Sequence, residues 1–207
     1  MRDYPNRDFA IILAAGLSTR MGVCKTTLPW YDGKTLLRYQ AEQFLLANIT
    51  PIVVLGSHNA YRRSDCPTGS KIVINSNCDR GKTSSILTGL NVLPECFSSV
   101  IISAVDQPRS ADIYRILLQK YNRGKALIVA PCKGDRLGHP LLFSSQLLPE
   151  LKAVNDSTFG LRQIIKDWHN KIRKVEVENL DIFIDLNSFE VYKDTLKQQF
   201  CEILTKI

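Results

Sequence analysis

Short apolar, β-branched runs alternate along the chain with longer segments of helical periodicity. The runs lie at residues 9–14, 50–55, 71–74, 100–104 and 126–130, and helical patterns lie at 35–47, 84–93, 111–123, 159–166 and 193–207. Such alternation is typical of βαβ units, in which a helix connects two parallel strands. We predict an α/β fold with a three-layer, Rossmann-like open sheet that is mostly parallel. The length fits one domain spanning residues 1–207, which ends in the helix 193–207.

The net charge of +7 and the isoelectric point near 9.1 favour an anionic partner, such as nucleic acid, a lipid surface or a phosphorylated small molecule. The basic residues are scattered and no aromatic residues alternate with them, which disfavours nucleic acid. No apolar run approaches the roughly 20 residues of a membrane span, and the first residues lack the apolar core of a signal peptide. Six cysteines without a C-x-x-C pair or zinc-site spacing indicate reduced thiols. We therefore expect a cytoplasmic protein that binds neither nucleic acid nor membrane.

The loop after the first apolar run is the first candidate site, because ligands of open α/β sheets bind beyond the carboxyl ends of the strands. Residues 13–25, hereafter the phosphate loop, contain small residues, two glycines, Arg20 and Lys25. Successive backbone amides of such a turn form an anion site, and the two cations suit a triphosphate. Neither the G-x-G-x-x-G fingerprint nor the P-loop spacing is present. A glycine-punctuated turn with two solvated cations is the alternative interpretation.

Two further strand ends carry polar residues. The sequence Gly81-Lys82-Thr83 imitates the end of a P-loop, but Ser76 stands where that motif requires glycine, so we reject the motif. Ser84 suits either a ligand contact or the cap of the next helix. Asp106 ends the fourth apolar run. Mg²⁺ bound to phosphates takes one or two carboxylates at such a position, although a lone Asp before a turn is also a common turn cap.

The phosphate loop resembles a known family. Its pattern Leu-Ala-Ala-Gly-x-Ser-x-Arg-Met-Gly-x-x-Lys is similar to the signature loop of the MobA-like nucleotidyltransferases, and residues 28–30 and 33–37 resemble the segment that follows it. The resemblance implies a sheet of the nucleotide-diphospho-sugar-transferase type. It also implies that Arg20 and Lys25 are catalytic residues on the phosphates of a nucleoside triphosphate. The nucleotide-binding residues that it implies in this loop are Leu13, Ala14, Ala15, Gly16, Ser18, Arg20 and Lys25.

The resemblance extends to the other strand ends. The family segment along the base and ribose is similar here to a set of small and polar residues, Asn75, Gly81, Ser84 and Ser85. The run Val-Asp-Gln-Pro around Asp106 resembles the family motif whose Asp coordinates magnesium, and residues 183–190 resemble a second acidic motif. Asp106 and Asp185 are thus implied as metal ligands, with Mg²⁺ as the metal and Mn²⁺ as an alternative. Asn187 and Phe189 depart from the second motif, which leaves the strength of the metal contact and the identity of the acceptor open.

The distal region 131–165 resembles the acceptor side of the molybdopterin cytidylyltransferase branch. The motif Gly138-His139-Pro140-x-Leu-Phe is similar to residues that face the pterin substrate in that branch. Arg162 falls in a matching Asp-to-Gly-to-Arg pattern that begins at Asp156. The resemblance implies acceptor-binding roles for Gly138, His139, Pro140 and Arg162. A turn histidine and a surface arginine are the alternative interpretations.

Together these resemblances imply transfer of CMP from CTP to molybdopterin, with release of pyrophosphate and without a protein nucleophile. Ala15 supports CTP, because the guanine branch carries glycine at that position. GTP-dependent guanylyl transfer to the cofactor, and transfer to a sugar or alcohol phosphate, are alternatives within the enzymes. A non-catalytic nucleotide sensor or cofactor chaperone is the alternative from another class. A molybdoenzyme that receives the product is an expected partner.

Overall fold

The computed structural model describes residues 8–124, 126–158 and 160–204, apart from the side chains of Arg20, Thr158 and residues 199–204. In this part of the chain, eight strands form one sheet: β1 (Asp8–Ala14), β2 (Thr50–Gly56), β3 (Lys71–Asn75), β4 (Ser99–Ala104), β5 (Ile128–Lys133), β6 (Arg136–Leu137), β7 (Leu141–Ser144) and β8 (Ile172–Glu176). Their hydrogen-bonded order is β3-β2-β1-β4-β7-β5-β6, and β8 also pairs with β5. The pairs β1–β2, β1–β4, β2–β3 and β5–β8 are parallel. The predicted open and mostly parallel sheet is confirmed.

Helices lie on both faces of this sheet: α1 (Leu36–Leu46), α2 (Lys82–Leu90), α3 (Ala111–Gly124), α4 (Leu148–Lys152), α5 (Leu161–Asp167) and α6 (Phe189–Leu204). Each face has its own apolar cluster, because successive side chains of a strand point to opposite sides. Ile11 of β1 packs in the cluster that contains Ile86 of α2. Its neighbour Ile12 packs in the cluster that contains Phe44 of α1 and Leu117 of α3. The predicted three-layer arrangement is confirmed.

The carboxyl ends of the parallel strands meet at one edge of the sheet. Leu13 of β1 is in register with Ala104 of β4, and Gly56 of β2 is in register with Asn75 of β3. The loops that leave these strands therefore start side by side. Strand β7 runs antiparallel to both β4 and β5. The loop that enters β7 consequently reaches the same edge.

The elements differ from the predicted ones mainly in the distal half. The sequence patterns do not predict β6, β7, β8 or α4, which are short and carry no clear periodicity of their own. Helix α2 begins at Lys82, two residues before the predicted start, and α6 begins at Phe189 rather than at 193. Residues 159 and 205–207 of the predicted helices lie outside the described residues. None of the described helices has the length and apolar character that crossing a bilayer requires.

Candidate active site

A cleft of about 400 Å³ opens at the edge where the parallel strands end. It is bounded by the phosphate loop, the start of α2, the residues after β4 and the segment before α6. The predicted site residues that line it are Leu13, Ala14, Ala15, Gly16, Ser18, Lys25, Gly81, Ser85, Asp106 and Asp185. The fold thus brings four distant parts of the sequence around one space.

The phosphate loop turns back on itself through two residues in the left-handed backbone region. Ser18 has a φ of 54° and Gly22 a φ of 67°, on either side of a short 3-10 turn. The Ser18 hydroxyl accepts a hydrogen bond from the backbone N–H of Lys25 at 3.2 Å, which closes the loop. A Cβ placed on Gly16 would meet no protein atom within 4 Å, so the backbone here is open toward the cleft. The side chain of Arg20 lies outside the described residues, and its role stays a prediction.

A buried asparagine, which the sequence patterns miss, holds the base of this loop. Asn59 is 1% exposed. Its Nδ2 donates to the carbonyl oxygen of Ala14 at 2.8 Å, and its Oδ1 accepts from the backbone N–H of Gly56 at 2.8 Å. Asn59 therefore joins the ends of β1 and β2. No spacing rule marks such a residue, since its partners are backbone atoms that every residue offers.

Lys25 and Asp106 form an ion pair inside the cleft. Lys25 Nζ lies 2.5 Å from Asp106 Oδ2 and 3.5 Å from Asn187 Oδ1. The two charged side chains are only 12% and 16% exposed. The backbone N–H of Val105 donates to the carbonyl oxygen of Leu13 at 3.1 Å, so the two strand ends stay hydrogen-bonded up to the site. A cation of the phosphate loop is thereby held against the acid that follows β4.

Helix α2 begins beside the cleft, and Asn75 organises its first turn. The Nδ2 of Asn75 donates to the hydroxyl oxygens of Ser84 at 2.9 Å and Ser85 at 3.0 Å. The Ser84 hydroxyl lies within hydrogen-bond distance of the carbonyl oxygens of Gly81 and Asn77, and of the two serines Ser85 is the one that lines the cleft. The N-cap of α2 is Gly81. The capping interpretation of Ser84 is therefore wrong, because the helix starts earlier than predicted.

Asp156 connects α2 to the predicted acceptor-side region. Its carboxylate accepts a hydrogen bond from the Thr83 hydroxyl and lies 3.4 Å from the Thr83 backbone nitrogen. A Cβ on Gly81 would overlap this carboxylate, and a Cβ on Gly160 would lie 3.3 Å from Thr83 Oγ1. Gly81 also has a φ of 92°, a conformation that favours glycine. The Asp-to-Gly spacing of the acceptor motif thus fits a packing contact with α2.

The predicted acceptor-binding residues are not in the lining of the cleft. Residues 138–140 connect β6 to β7, and the backbone N–H of His139 donates to the carbonyl oxygen of Ile182 at 2.8 Å. A Cβ on Gly138 would overlap the Ile182 side chain, so this approach requires glycine. Arg162 is exposed on α5.

His139 nevertheless lies close enough to the cleft for a charge there to change its pKa. Desolvation, followed by the positive charges of Arg109 and Lys82, lowers the pKa of His139 below its ordinary value of 6.5. Lys82 lines the cleft. The His139 imidazole is therefore neutral at pH 7.

A buried arginine, also missed by the sequence patterns, lies in the segment between β4 and α3. Arg109 is 1% exposed, and burial lowers its pKa to about 10, so it stays charged at pH 7. Its guanidinium donates to four backbone carbonyls: Pro108 at 2.7 Å, His139 at 3.0 Å, Ile182 at 3.1 Å and Ile184 at 2.8 Å. Arg109 thus joins the segments that carry Asp106, His139 and Asp185.

Most of this chain matches one known protein family. The family model for the MobA-like NTP transferase domain matches residues 10–174. The chain belongs to the MobA-like NTP transferase family. It is accordingly a nucleotidyltransferase, and the resemblance of the phosphate loop to this family is confirmed.

Two curated relatives and one solved structure illustrate the range of this MobA-like chain's similarities. The molybdenum cofactor cytidylyltransferase of Escherichia coli (strain K12) is 28% identical over 199 residues, covering 93% of this chain and 97% of the relative. Nicotine blue oxidoreductase of Paenarthrobacter nicotinovorans is 27% identical over 170 residues, covering 76% and 82%. Rv0371c from Mycobacterium tuberculosis H37Rv is similar in structure with a TM-score of 0.80 at 22% identity, covering 94% and 99%. The structural likeness confirms the fold.

MobA-like nucleotidyltransferases use divalent metals, and a manganese complex of Rv0371C shows this fold with a TM-score of 0.74 at 19% identity, covering 94% of this chain and 100% of that one. The cleft of the present chain offers the carboxylates of Asp106 and Asp185 and the amide oxygen of Asn187. Within the described residues there is no group of three or more His, Cys, Asp or Glu that could hold a metal. Two carboxylates and an amide oxygen still fit a hard divalent ion, which completes its ligands with phosphate oxygens and waters.

Proposed function

We propose that this MobA-like chain transfers CMP from CTP to a molybdopterin-type phosphorylated acceptor, with Mg²⁺ or Mn²⁺ as the metal. The observation that carries the proposal is the ion pair of Lys25 and Asp106 in the cleft, 2.5 Å between Nζ and Oδ2. Nucleotidyl transfer requires a phosphate-binding cation and a metal-binding acid that reach the same triphosphate. The cytidylyltransferase relative, similar over most of both chains, supports the choice of nucleotide and acceptor.

In this proposal the phosphate loop holds the triphosphate. The open space at Gly16 allows backbone amides to approach phosphate oxygens closely. Ser18 closes the loop onto the backbone of Lys25, which directs the lysine into the cleft. Arg20 adds a second cation. The remaining loop residues assigned to the nucleotide are Leu13, Ala14 and Ala15.

The base and ribose lie along α2 in this proposal. Ser85 reaches the cleft and is assigned to the nucleotide, whereas Ser84 supports it through their shared partner Asn75. Gly81 lines the cleft at the start of α2, where the Asp156 carboxylate leaves no room for a side chain. Ala15, which is 2% exposed and lines the cleft, narrows the space next to the base and favours a pyrimidine.

The reaction joins two phosphates that the protein holds in line. An oxygen of the acceptor's terminal phosphate attacks the α-phosphorus of CTP while the bond from that phosphorus to the bridging oxygen of pyrophosphate breaks. Asp106 and Asp185 would hold the metal, which supplies positive charge to the phosphates when bound. Lys25 and the loop amides stabilise the charge that develops on the departing pyrophosphate. The chain provides positioning rather than a nucleophile.

The acceptor side consists of Gly138, His139, Pro140 and Arg162 in this proposal. The neutral imidazole of His139 offers one donor and one acceptor to a polar heterocycle without adding charge. Arg162, exposed on α5, is free to meet an acceptor phosphate. A molybdoenzyme that takes up the nucleotide-bearing cofactor is the proposed client.

Pyrophosphate release from the full-length chain tests the proposal. We expect release that requires CTP, Mg²⁺ or Mn²⁺, and molybdopterin together. The matched control is Asp106→Asn, which keeps the shape of the side chain, removes its charge and should reduce release to background. Faster release from GTP would replace the cytidylyl assignment with a guanylyl one, and release with a sugar or alcohol phosphate alone would change the acceptor. Nucleotide binding without turnover would favour the chaperone.

Thermal shift across the four nucleoside triphosphates tests the base separately. A ligand present at a hundred times its dissociation constant stabilises the folded state by about 2.7 kcal/mol. We expect the largest shift with CTP.

A further inference from the structure

Among the residues that the structure describes, Arg109 is the one charged side chain with less than 2% exposure. A buried guanidinium loses its hydration, which is tolerated only where its N–H groups find acceptors. The four acceptors of Arg109 are neutral backbone carbonyls, not carboxylates. A charge placed in this way serves chiefly to hold main chain together.

The four carbonyls belong to three segments that each carry a predicted site residue. One carbonyl lies two residues after Asp106, one belongs to His139, and two lie three residues and one residue before Asp185. These segments follow β4, precede β7 and precede α6, so they are far apart in sequence. Arg109 is the group that contacts all three.

The main chain at Asp185 is fixed from both sides. Nη2 of Arg109 donates to the carbonyl oxygen of Ile184 at 2.8 Å, and the backbone N–H of Leu186 donates to the carbonyl oxygen of Asp106 at 2.9 Å. The peptide groups before and after Asp185 are therefore both bonded to the segment that carries Asp106, one through Arg109 and one directly. Since each peptide group is planar, the position of the residue between them is largely determined.

We propose that Arg109 is a positioning residue that fixes Asp185 relative to Asp106 and ties both acids to the loop of His139. This inference rests on the proposed role of the two acids as metal ligands. Arg109 itself does not line the cleft, so it acts through the main chain that it bonds. None of its four hydrogen bonds reaches the phosphate loop.

The chemistry of the guanidinium suits this role. It presents five N–H donors in one rigid plane, whereas a lysine ammonium has three donors on a single atom. A lysine at this position therefore cannot donate to all four carbonyls. The negative charges of Asp181, Asp185 and Asp106 also act on Arg109. The guanidinium in return reduces the mutual repulsion of two carboxylates that face one cleft.

Mn²⁺ titrations of the full chain test this inference in Arg109→Lys and Arg109→Met. Electron paramagnetic resonance measures the bound Mn²⁺, and nucleotide is left out. We expect the Mn²⁺ dissociation constant to rise about 10- to 100-fold, the usual loss when a residue that orients a metal ligand is removed. CTP affinity, measured by calorimetry without metal, should change less than about twofold, because the phosphate loop is a separate site. Arg115→Met is the matched control, since Arg115 is a half-exposed arginine of α3 paired with Asp112. It should change neither constant.

A double-mutant cycle separates positioning from general loosening. Asp185→Asn alone should weaken Mn²⁺ binding, and adding Arg109→Lys to it should cause little further loss if Arg109 acts through Asp185. Fully additive losses would overturn the inference. An unchanged Mn²⁺ affinity in folded Arg109→Lys, or an equal loss of CTP affinity, would overturn it as well. If Arg109→Met does not fold, the lysine variant decides.

Hydrogen exchange provides a readout that does not depend on the metal. In Arg109→Lys we expect faster exchange at the N–H groups of Leu186 and His139, which bond across this junction, and unchanged exchange at the Lys25 N–H in the phosphate loop. If Mn²⁺ binding of the wild type does not depend on Asp106, the proposed metal site fails. The exchange result then still decides whether Arg109 positions the segment, and unchanged exchange at both groups overturns that role.

Discussion

The proposed nucleotide side of the site and the proposed acceptor side next to it are held in place by different chemistry. On the nucleotide side, neutral amides make short connections: Asn59 joins β1 to β2, and Asn75 orders the first turn of α2. On the acceptor side, one charged group, Arg109, gathers carbonyls from three segments. The first side is assembled at the ends of parallel strands. The second side is assembled from the segments after β4, before β7 and before α6, which are not strands of the sheet.

This difference predicts how each side responds to the loss of a side chain. Removal of the Asn59 amide breaks two hydrogen bonds at the β1–β2 pair, so the structural change stays local. Removal of a buried guanidinium leaves four carbonyls without their partner and frees three segments together. Substitutions near Asp106 and on the nucleotide side test whether the two sides respond separately.

Asp106→Ala should have the largest effect, because Asp106 stands where the two sides meet. We expect turnover to fall by about a thousandfold, the scale of removing a group that stabilises developing charge. The fold should persist, since the carboxylate follows a strand and its hydrogen-bond partner, Lys25, lies in the cleft. Pyrophosphate release together with a melting curve measures both. Near wild-type turnover from a folded variant would remove Asp106 from the chemistry.

Lys25→Ala should confine its damage to the nucleotide side. In the proposed reaction the charge of Lys25 serves both the bound phosphates and the departing pyrophosphate, so kcat/KM for CTP should fall by about a hundredfold. The KM for the acceptor should change little. Steady-state kinetics with each substrate varied separately makes the comparison, with Lys34→Ala, a surface cation paired with Glu42, as the control. An unchanged kcat/KM would remove Lys25 from the chemistry.

Asn59→Ala should destabilise the chain by about 1 to 3 kcal/mol, because it leaves a buried N–H and a buried carbonyl unpaired. For a chain of this size that loss corresponds to roughly 2 to 4 °C in melting temperature per kcal/mol. The KM for CTP should rise with it, since the phosphate loop starts from the strand that Asn59 holds. Calorimetry and kinetics test this, with Asn91→Ala at the exposed end of α2 as the control. A higher KM for the acceptor with CTP unaffected would break the contrast between the two sides.

Ala15→Gly should give the smallest effect, a partial loss of the preference for CTP over GTP. One methyl group in a pocket is worth about 1 to 3 kcal/mol of discrimination, and we expect the lower end, because the Ala15 side chain also packs in the apolar cluster with Ile86. The measurement is the ratio of kcat/KM for CTP and GTP in wild type and variant. A wild type that prefers GTP would overturn the cytidylyl proposal. An unaltered ratio would remove Ala15 from the base pocket.

The strand ends of the site are predictable from the sequence, because a buried apolar run followed by glycines or an acid is visible in the order of residue types. The phosphate loop and Asp106 belong to this class, and both lie in the cleft. The start of α2 is less visible: the helix begins at Lys82, two residues earlier than predicted. Of its two serines, Ser85 lines the cleft and Ser84 bonds to backbone carbonyls.

The connections between segments are not predictable in this way. Asn59 and Arg109 bond to backbone atoms, and every residue offers the same backbone groups, so no pattern of side chains marks their partners. Strand β7 is also missed, because three of its four residues, 141–143, lie inside a motif that is equally consistent with a loop. The missing information is therefore about long-range pairing, which depends on the folded topology.

The antiparallel direction of β7 has a consequence for how this chain can change over evolution. Because β7 lies between β4 and β5, its entry loop can be replaced without shifting the register of β1 against β2 or β4. Arg109 and Ile182 hold this loop by hydrogen bonds to backbone atoms of His139. These bonds do not depend on the side chain, so another residue can replace the histidine. Gly138 cannot be replaced in this way, since any side chain there would overlap Ile182. Under the proposed function, this loop can therefore acquire side chains for a new acceptor while the nucleotide-binding strand ends stay unchanged.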